Sequence, residues 1–277
     1  MQSDGSHTTA YRVALRRAAH QVLDHPTVFD DPLAVTILGP EARAQIHTTP
    51  LNLDPRRRAF MAARSRYAED QLARAIDRGV RQYVVLGAGL DTYAYRSHPE
   101  VRVFEVDHPA VQAWKRSRLQ QSGIAIPDSM AFVPVDFERQ SLDQMLEANG
   151  FRLDQPAFFS CLGVIMYLTM DALTSTLRFI AARPCGSGVA FDYTLAPEAM
   201  SPSMRARQSM VATAVARLGE PFQSSFVPAD LERLLLQLGF RDLDDLGPAE
   251  IDRRYFAHRD DGLRIGNGWA HVASAWV

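Results

Sequence analysis

The stretch Tyr83-Val84-Val85-Leu86-Gly87-Ala88-Gly89 constrains this chain more than any other. Four apolar residues, two of them β-branched, read as a strand, and they run directly into a turn that carries two glycines. A strand of this kind belongs in a parallel sheet with both faces covered. Glycine beyond its end leaves bare backbone, so a ligand can approach the chain closely. The third glycine of a Gly-x-Gly-x-x-Gly fingerprint is absent. Thr92 holds that position, which argues against a pyrophosphate-bearing nicotinamide cofactor and its oxidoreductase chemistry.

Further strand signals follow at Val101–Val106, Ala131–Val135, Ala157–Cys161 and Val189–Phe191, with helical patterns between most of them. Two more lie near Arg241–Leu243 and at Ala270–Val277. Such alternation predicts an α/β fold with a mostly parallel, seven-stranded sheet. Before the first strand, residues 9–78 read as helices interrupted at Pro26, Pro32, Pro40, Pro50 and Pro55. Between Ala196 and Phe226 the rhythm breaks around an amphipathic helix near Met204–Leu218, read as an inserted helical cap. With no Pro/Gly/Ser-rich linker, one domain over residues 1–277 is expected. Its parts are an N-terminal helical region (1–80), a cofactor-binding core (81–195), the cap (196–227) and the rest of the core (228–277).

Lys and Arg number 30 against 32 Asp and Glu, so no net field draws nucleic acid or an anionic membrane surface. No window approaches eighteen uninterrupted apolar residues, and Met1–Thr9 is polar, so neither a membrane span nor a secretory leader is expected. Cys161 and Cys185 lack any Cys-x-x-Cys or Cys/His spacing. They are read as reduced thiols in a cytoplasmic protein without a metal site.

The second strand ends in Phe104-Glu105-Val106-Asp107. Alternation points Glu105 and Asp107 to the same side, where a carboxylate can accept hydrogen bonds from ribose hydroxyls. Asp136 ends the third strand, placed to accept from the exocyclic amino group of a purine. Glycines and acids at three successive strand ends lie on the carboxyl edge of one sheet and together describe a nucleoside site.

VVLGAGLDTYAYR at Val84–Arg96, FEVDHP at Phe104–Pro109, VPVDF at Val133–Phe137 and GVIMYL at Gly163–Leu168 together resemble the leucine carboxyl methyltransferase family. The likeness is greatest to its bacterial branch, which includes tetracenomycin-type polyketide O-methyltransferases. FDDPLA at Phe29–Ala34 and the late DLGPAEIDRRYFAHRDDGLR region extend it over nearly the whole chain. The resemblance implies a Rossmann-like class I methyltransferase fold, S-adenosyl-L-methionine as cofactor and S-adenosyl-L-homocysteine as product. It places Arg64 on the methionine carboxylate. Gly87, Ala88, Gly89 and Asp91 fall in the cofactor turn, Asp107 with Glu105 at the ribose, and Asp136 with Phe137 at the adenine. Leu162 belongs to the same cofactor site but departs from the family, which usually has glutamate before the Gly-Val-Leu-Met-Tyr-like stretch.

Methyl transfer from a sulfonium is an in-line displacement, so the protein mainly positions the reacting atoms. A carboxylate acceptor is ionised at neutral pH, whereas a phenol benefits from a base. His108, His258 and His271 are candidate bases, and Tyr167 is a candidate to hold the acceptor oxygen. Arg12, Arg16 and Arg17 on the first helix are candidates to meet an anionic acceptor. The expected activity is O-methylation of a carboxylate or phenol on a small, polyketide-like secondary metabolite, with the cap closing over it. Two alternatives stand beside it: methylation of a protein or peptide C-terminal carboxylate, which demands an open groove, and cofactor binding without transfer, which the departure at Leu162 motivates.

Overall fold

Every residue from Gln82 to Leu86 is buried, so this first strand, β1, is covered on both faces. The computed structural model describes residues 5–48, 54–96, 100–136, 140–217 and 219–277. After β1 come β2 (Arg102–Asp107), β3 (Met130–Pro134), β4 (Phe158–Cys161), β5 (Gly188–Thr194), β6 (Asp242–Leu246) and β7 (Ala270–Trp276). Their order across the sheet is β3-β2-β1-β4-β5-β7-β6. The first five pair in parallel, and β7 runs antiparallel to both β5 and β6. This is the mostly parallel seven-stranded sheet that the alternating pattern implies.

Period-two alternation divides the core between the two faces. Tyr83, Val85 and Val103 point to one side, together with side chains of α1 (Gly5–Leu23), α3 (Pro55–Asp77) and α4 (Pro109–Gln121). Val84, Leu86, Phe104 and Val106 point to the other, beneath α5 (Leu142–Ala148), α6 (Met170–Ala181) and α8 (Pro228–Leu238). From β1 the chain moves outward through β2 and β3, then crosses back to β4 on the opposite side of β1. The carboxyl ends of β1 and β4 therefore part, and open α/β sheets bind ligands at such a switch point.

Two polar clasps hold the N-terminal helices, the first to one another and the second to the turn after β1. In the first, His20 Nε2 accepts from the backbone N–H groups of Val28 (2.9 Å) and Phe29 (3.3 Å). That ring is therefore neutral and carries its proton on Nδ1, 3.1 Å from Asp24 Oδ2. Arg58 of α3 donates to both oxygens of the same carboxylate, at 3.0 and 2.8 Å. Burial alone would raise the Asp24 pKa, but the bonds from His20 and Arg58 outweigh it and hold it below the usual value. In the second clasp Asp31 faces Arg17 Nε at 2.9 Å and accepts from Thr92 Oγ1 at 2.7 Å. Thr92 is thus used to tie the N-terminal segment to the glycine turn, which gives a structural reason for the missing third glycine.

Two strands run further than the apolar pattern suggests. The sequence reading ends the fifth at Phe191, but β5 continues through Asp192 to Thr194. The sixth is read only near Arg241–Leu243, yet β6 includes Asp244 and Asp245, which accept from Tyr67 Oη (3.1 Å) and Tyr193 Oη (2.6 Å). Acids along an edge strand also discourage pairing with another chain. In the cap, α7 (Pro202–Ala216) has no fully buried residue; Met204, Val211 and Val215 are half-buried along one face. Cys161 is buried, Cys185 is exposed, and both thiols are free. No helix among the described residues is long and apolar enough to cross a membrane.

Asp24→Ala removes the carboxylate from two buried partners and should lower unfolding free energy by roughly 3–5 kcal/mol, read from the urea midpoint. The wild-type carboxylate's contribution is complete at neutral pH, because its folded pKa is depressed, and is lost as pH falls below the ordinary carboxylate range. The stability difference between the two proteins should therefore narrow in acid.

Candidate active site

The parted ends of β1 and β4 open into a cavity of about 410 Å³, within the size range of small-molecule sites. Four parts of the chain line it: residues 9–17 of α1 with 61–65 of α3, the glycine turn with the end of β2, the turn after β4, and the loop after α7. Long-range topology assembles this wall, since its first and last residues lie more than 200 positions apart.

Gly87 has φ +66°, and a Cβ there would stand 2.3 Å from Val164 Cγ2, so glycine is required by both backbone and space. The amides of Gly87 and Ala88 donate to Val106 O at 2.8 and 3.1 Å, and that of Gly89 donates to Asp107 Oδ2 at 2.7 Å. The Asp91 amide returns to Ala88 O. With these donors used internally, the turn offers no nest of N–H groups for a phosphate. A single 3-10 turn, Tyr93–Tyr95, follows it in place of a long helix. Both features suit a nucleoside better than a dinucleotide.

Asp107 closes β2 at the cavity, where its Oδ1 also accepts from the His108 amide at 2.7 Å. Burial raises its pKa, and the amides of Gly89 and His108 moderate the rise. Arg64 lines the cavity from α3 and is 6% exposed. Its Nη1 donates to Asp192 Oδ2 at 2.7 Å, while Asp192 Oδ1 accepts a short bond from the Gly163 amide. Asp91 also lines the cavity. Burial would raise its carboxyl, but Arg17 (3.8 Å away), Lys115 and Arg96 outweigh this and lower its pKa.

The structure therefore gathers Arg64, Gly87, Ala88, Gly89, Asp91, Asp107, Leu162 and Tyr167 around one cavity. Glu105 is not on its wall. Alternation gives Glu105 the face of Asp107, but it lies two residues, about 7 Å, back along the strand. There it is ion-paired with Lys115 at 2.7 Å and accepts from Tyr95 Oη. Burial raises its pKa despite that partner. Asp136 is half-buried beside the wall residue Val135, with its backbone tied to Gln140, and Phe137 lies outside the described residues. Arg12 and Arg16 are not on its wall, although Arg16 is near enough to Arg64 and Tyr167 to interact with both electrostatically, whereas Arg17 lines it and is neutralised by Asp31. Of the histidines, His108 lines the cavity and caps α4, accepting from the Ala110 amide; His258 is exposed, and His271 pairs with Asp245 away from the cavity.

Sequence reasoning missed Thr9, Ser160, Asp192 and Glu220. Asp192 had a readable signal, an acid inside an apolar strand, which burial permits only with a partner such as Arg64. Glu220 had none, because only the folded cap brings it to the cavity. Thr9 Oγ1 and Glu220 Oε2 are buried there without hydrogen-bond partners. A guanidinium, carboxylates and unpartnered polar atoms in one cavity fit a nucleoside that carries an amino acid.

Residues 10–181 match the family model described as leucine carboxyl methyltransferase. The chain belongs to the leucine carboxyl methyltransferase family. A Bacillus subtilis (strain 168) relative named "Putative S-adenosyl-L-methionine-dependent methyltransferase YktD" is 32% identical over 95% of each chain. A relative in Mycobacterium sp. (strain JLS), similarly named as an S-adenosyl-L-methionine-dependent methyltransferase, is 34% identical over 73% of this chain and 70% of its own. The crystal structure of a duf574 family protein from Streptomyces avermitilis shares the fold, with TM-score 0.57 at 19% identity over 95% of this chain and 96% of that one. This family member is thus an S-adenosylmethionine-dependent methyltransferase on a class I fold.

Gly87→Ala forces a Cβ against Val164 in a disfavoured backbone region. It should cost roughly 1–3 kcal/mol of stability and weaken S-adenosylhomocysteine binding, checked by thermal unfolding with and without the ligand.

Proposed function

We propose that this methyltransferase delivers the methyl group to an oxygen of a small anionic molecule, with a carboxylate as the favoured acceptor. Arg16 carries the reading. Its Nε is buried without a hydrogen-bond partner, and burial together with the like charges of Arg57, Arg64 and Arg12 pushes its pKa down to about 10, only partly offset by Asp54. A crowded guanidinium in this state favours an incoming anion.

S-adenosylmethionine supplies an activated methyl group on a sulfonium and leaves as S-adenosylhomocysteine. In this proposal Arg64 meets its carboxylate, Asp107 accepts from its ribose hydroxyls, and Asp136 reads its adenine. Tyr167 stands on a 3-10 turn after β4 with its ring packed on Phe222. Burial, with Glu220 and Asp192, pushes its hydroxyl up to about 12 against the opposing pull of Arg64 and Arg16. It therefore keeps its proton at neutral pH and serves as a hydrogen-bond donor to the acceptor oxygen. A carboxylate needs no base, which agrees with His108 using its Nδ1 as an acceptor for a backbone amide.

The cavity volume of about 410 Å³, bordered by the loop after α7, supports a small acceptor, and the motif likeness to polyketide O-methyltransferases makes aromatic acids the first compounds to try. The family's description supports a second reading, a peptide C-terminal carboxylate. Labelled S-adenosylmethionine offered with carboxylic acids, phenols and peptides separates the readings. The expected product is a small methyl ester that releases volatile methanol in alkali. An alkali-stable ether would move the acceptor to a phenol, and label on peptides alone would favour the second reading. Arg16→Met should raise the acceptor KM about 10- to 100-fold, the scale of a charge-assisted hydrogen bond, and leave cofactor affinity unchanged.

Asp107→Ala should weaken S-adenosylhomocysteine binding by about 1.5–3 kcal/mol in calorimetry. Unchanged affinity would mean that the ribose lies elsewhere.

A further inference from the structure

The amino-acid end of the cofactor carries both a carboxylate and an ammonium, and Arg64 answers only the first. The family resemblance would place a glutamate for the second at position 162. Leu162 lines the cavity there instead, packed among core residues, and its side chain has no acceptor to offer. We infer that Glu220, on the loop that leaves the cap, supplies the carboxylate that holds the cofactor's ammonium in place of the one missing at position 162.

Elimination among the described acids leads to this residue. Asp107, which already accepts from the amides of Gly89 and His108, is assigned to the ribose, and Asp91 accepts from the Tyr93 amide and faces Arg17. Asp192 is taken by Arg64 and Gly163. Glu220 lines the same cavity, and its Oε2 is buried with no hydrogen-bond partner. A carboxylate oxygen held out of water without a donor is unfavourable, and an incoming ammonium removes that penalty.

The loop is also fixed to the correct wall. Gln223 donates from its amide to Met166 O (2.7 Å) and from Nε2 to Tyr167 O (2.9 Å), and Ser224 Oγ donates to Ile165 O (2.7 Å). Phe222 packs on the Tyr167 ring at 5.5 Å. These bonds join the Glu220 loop to the turn that begins with Leu162 and Gly163, against which Arg64 lies. Arg64, Gly163, Tyr167 and Glu220 line the same cavity.

The inference rests on the cofactor and not on the nature of the acceptor, so failure of either reading leaves the other open to its own test. Calorimetry would compare wild type, Glu220→Gln and the double variant Glu220→Gln/Leu162→Glu. The ligands are S-adenosylhomocysteine and 5′-methylthioadenosine, which keeps the adenosine thioether but lacks the amino-acid tail. Glu220→Gln should bind S-adenosylhomocysteine about tenfold or more weakly, the scale of one charge-assisted hydrogen bond. Its affinity for methylthioadenosine should stay at the wild-type value, which also shows that the variant is folded, and Leu162→Glu should restore most of the loss. Unchanged S-adenosylhomocysteine affinity, or an equal loss for both ligands, overturns the assignment. Wild-type affinity with lost turnover would place Glu220 on the acceptor and overturn it as well.

Discussion

Arg64 and Asp192 form an ion pair 2.7 Å long, with side chains 7% and 1% exposed, at the junction of three segments distant in sequence. Removing both charges from water costs several kcal/mol each, so the pair contributes little net stability even with good geometry. Its consequence is positional. It binds α3 to β5, and through the Gly163 amide it fixes the turn after β4. Gly163 has φ +72°, and a Cβ there would lie 3.0 Å from Arg64 Nη1, so the turn can approach the guanidinium only as glycine. Losing either partner would leave a buried charge uncompensated and free the cavity wall together.

The same dependence extends to the N-terminal helices, which contribute a whole side of the cavity. They share one hydrophobic cluster with the sheet, through residues such as Leu15, Ala18 and Phe60, and the clasps at Asp24 and Asp31 each add partners from separate segments. Asp31 reaches Thr92, three residues beyond Gly89, so the clasp and the glycine turn are mechanically one unit. Stability and binding are therefore linked: a ligand touching both α1 and the turn stabilises the docking of the helices by mass action.

Features carried by local pattern were legible from sequence. The run at Tyr83–Leu86 and the glycines after it specify a buried strand and a bare turn without reference to the rest of the chain. Alternation also placed Glu105 on the correct face, but periodicity carries no information about depth along a strand, and depth separates Glu105 under α4 from Asp107 at the rim. Asp192 and Asp244 stopped the strand readings because acids interrupt an apolar pattern, while tertiary partners, Arg64 and Tyr67, make them tolerable inside. Arg12, Arg16 and Arg17 look alike in sequence. Which of them is neutralised depends on Asp31, Asp91 and Leu90 O, contacts set by the path of the loop and not by the helix.

On the proposed chemistry, transfer to a carboxylate brings a sulfonium and an anion together, and both charges vanish as the bond forms. Such a reaction gains from a cavity poor in water, where separated charges are less stable than in bulk solvent. It loses from any cation that grips the attacking oxygen, since that interaction is stronger in the ground state than in the transition state. The arrangement here respects the second condition. Arg16 lies off the cavity wall but near Arg64 and Tyr167, so it can draw an anion without holding the nucleophilic oxygen. The group on the wall is instead a neutral, fully protonated Tyr167 hydroxyl, a weaker donor that sets direction at little cost to nucleophilicity.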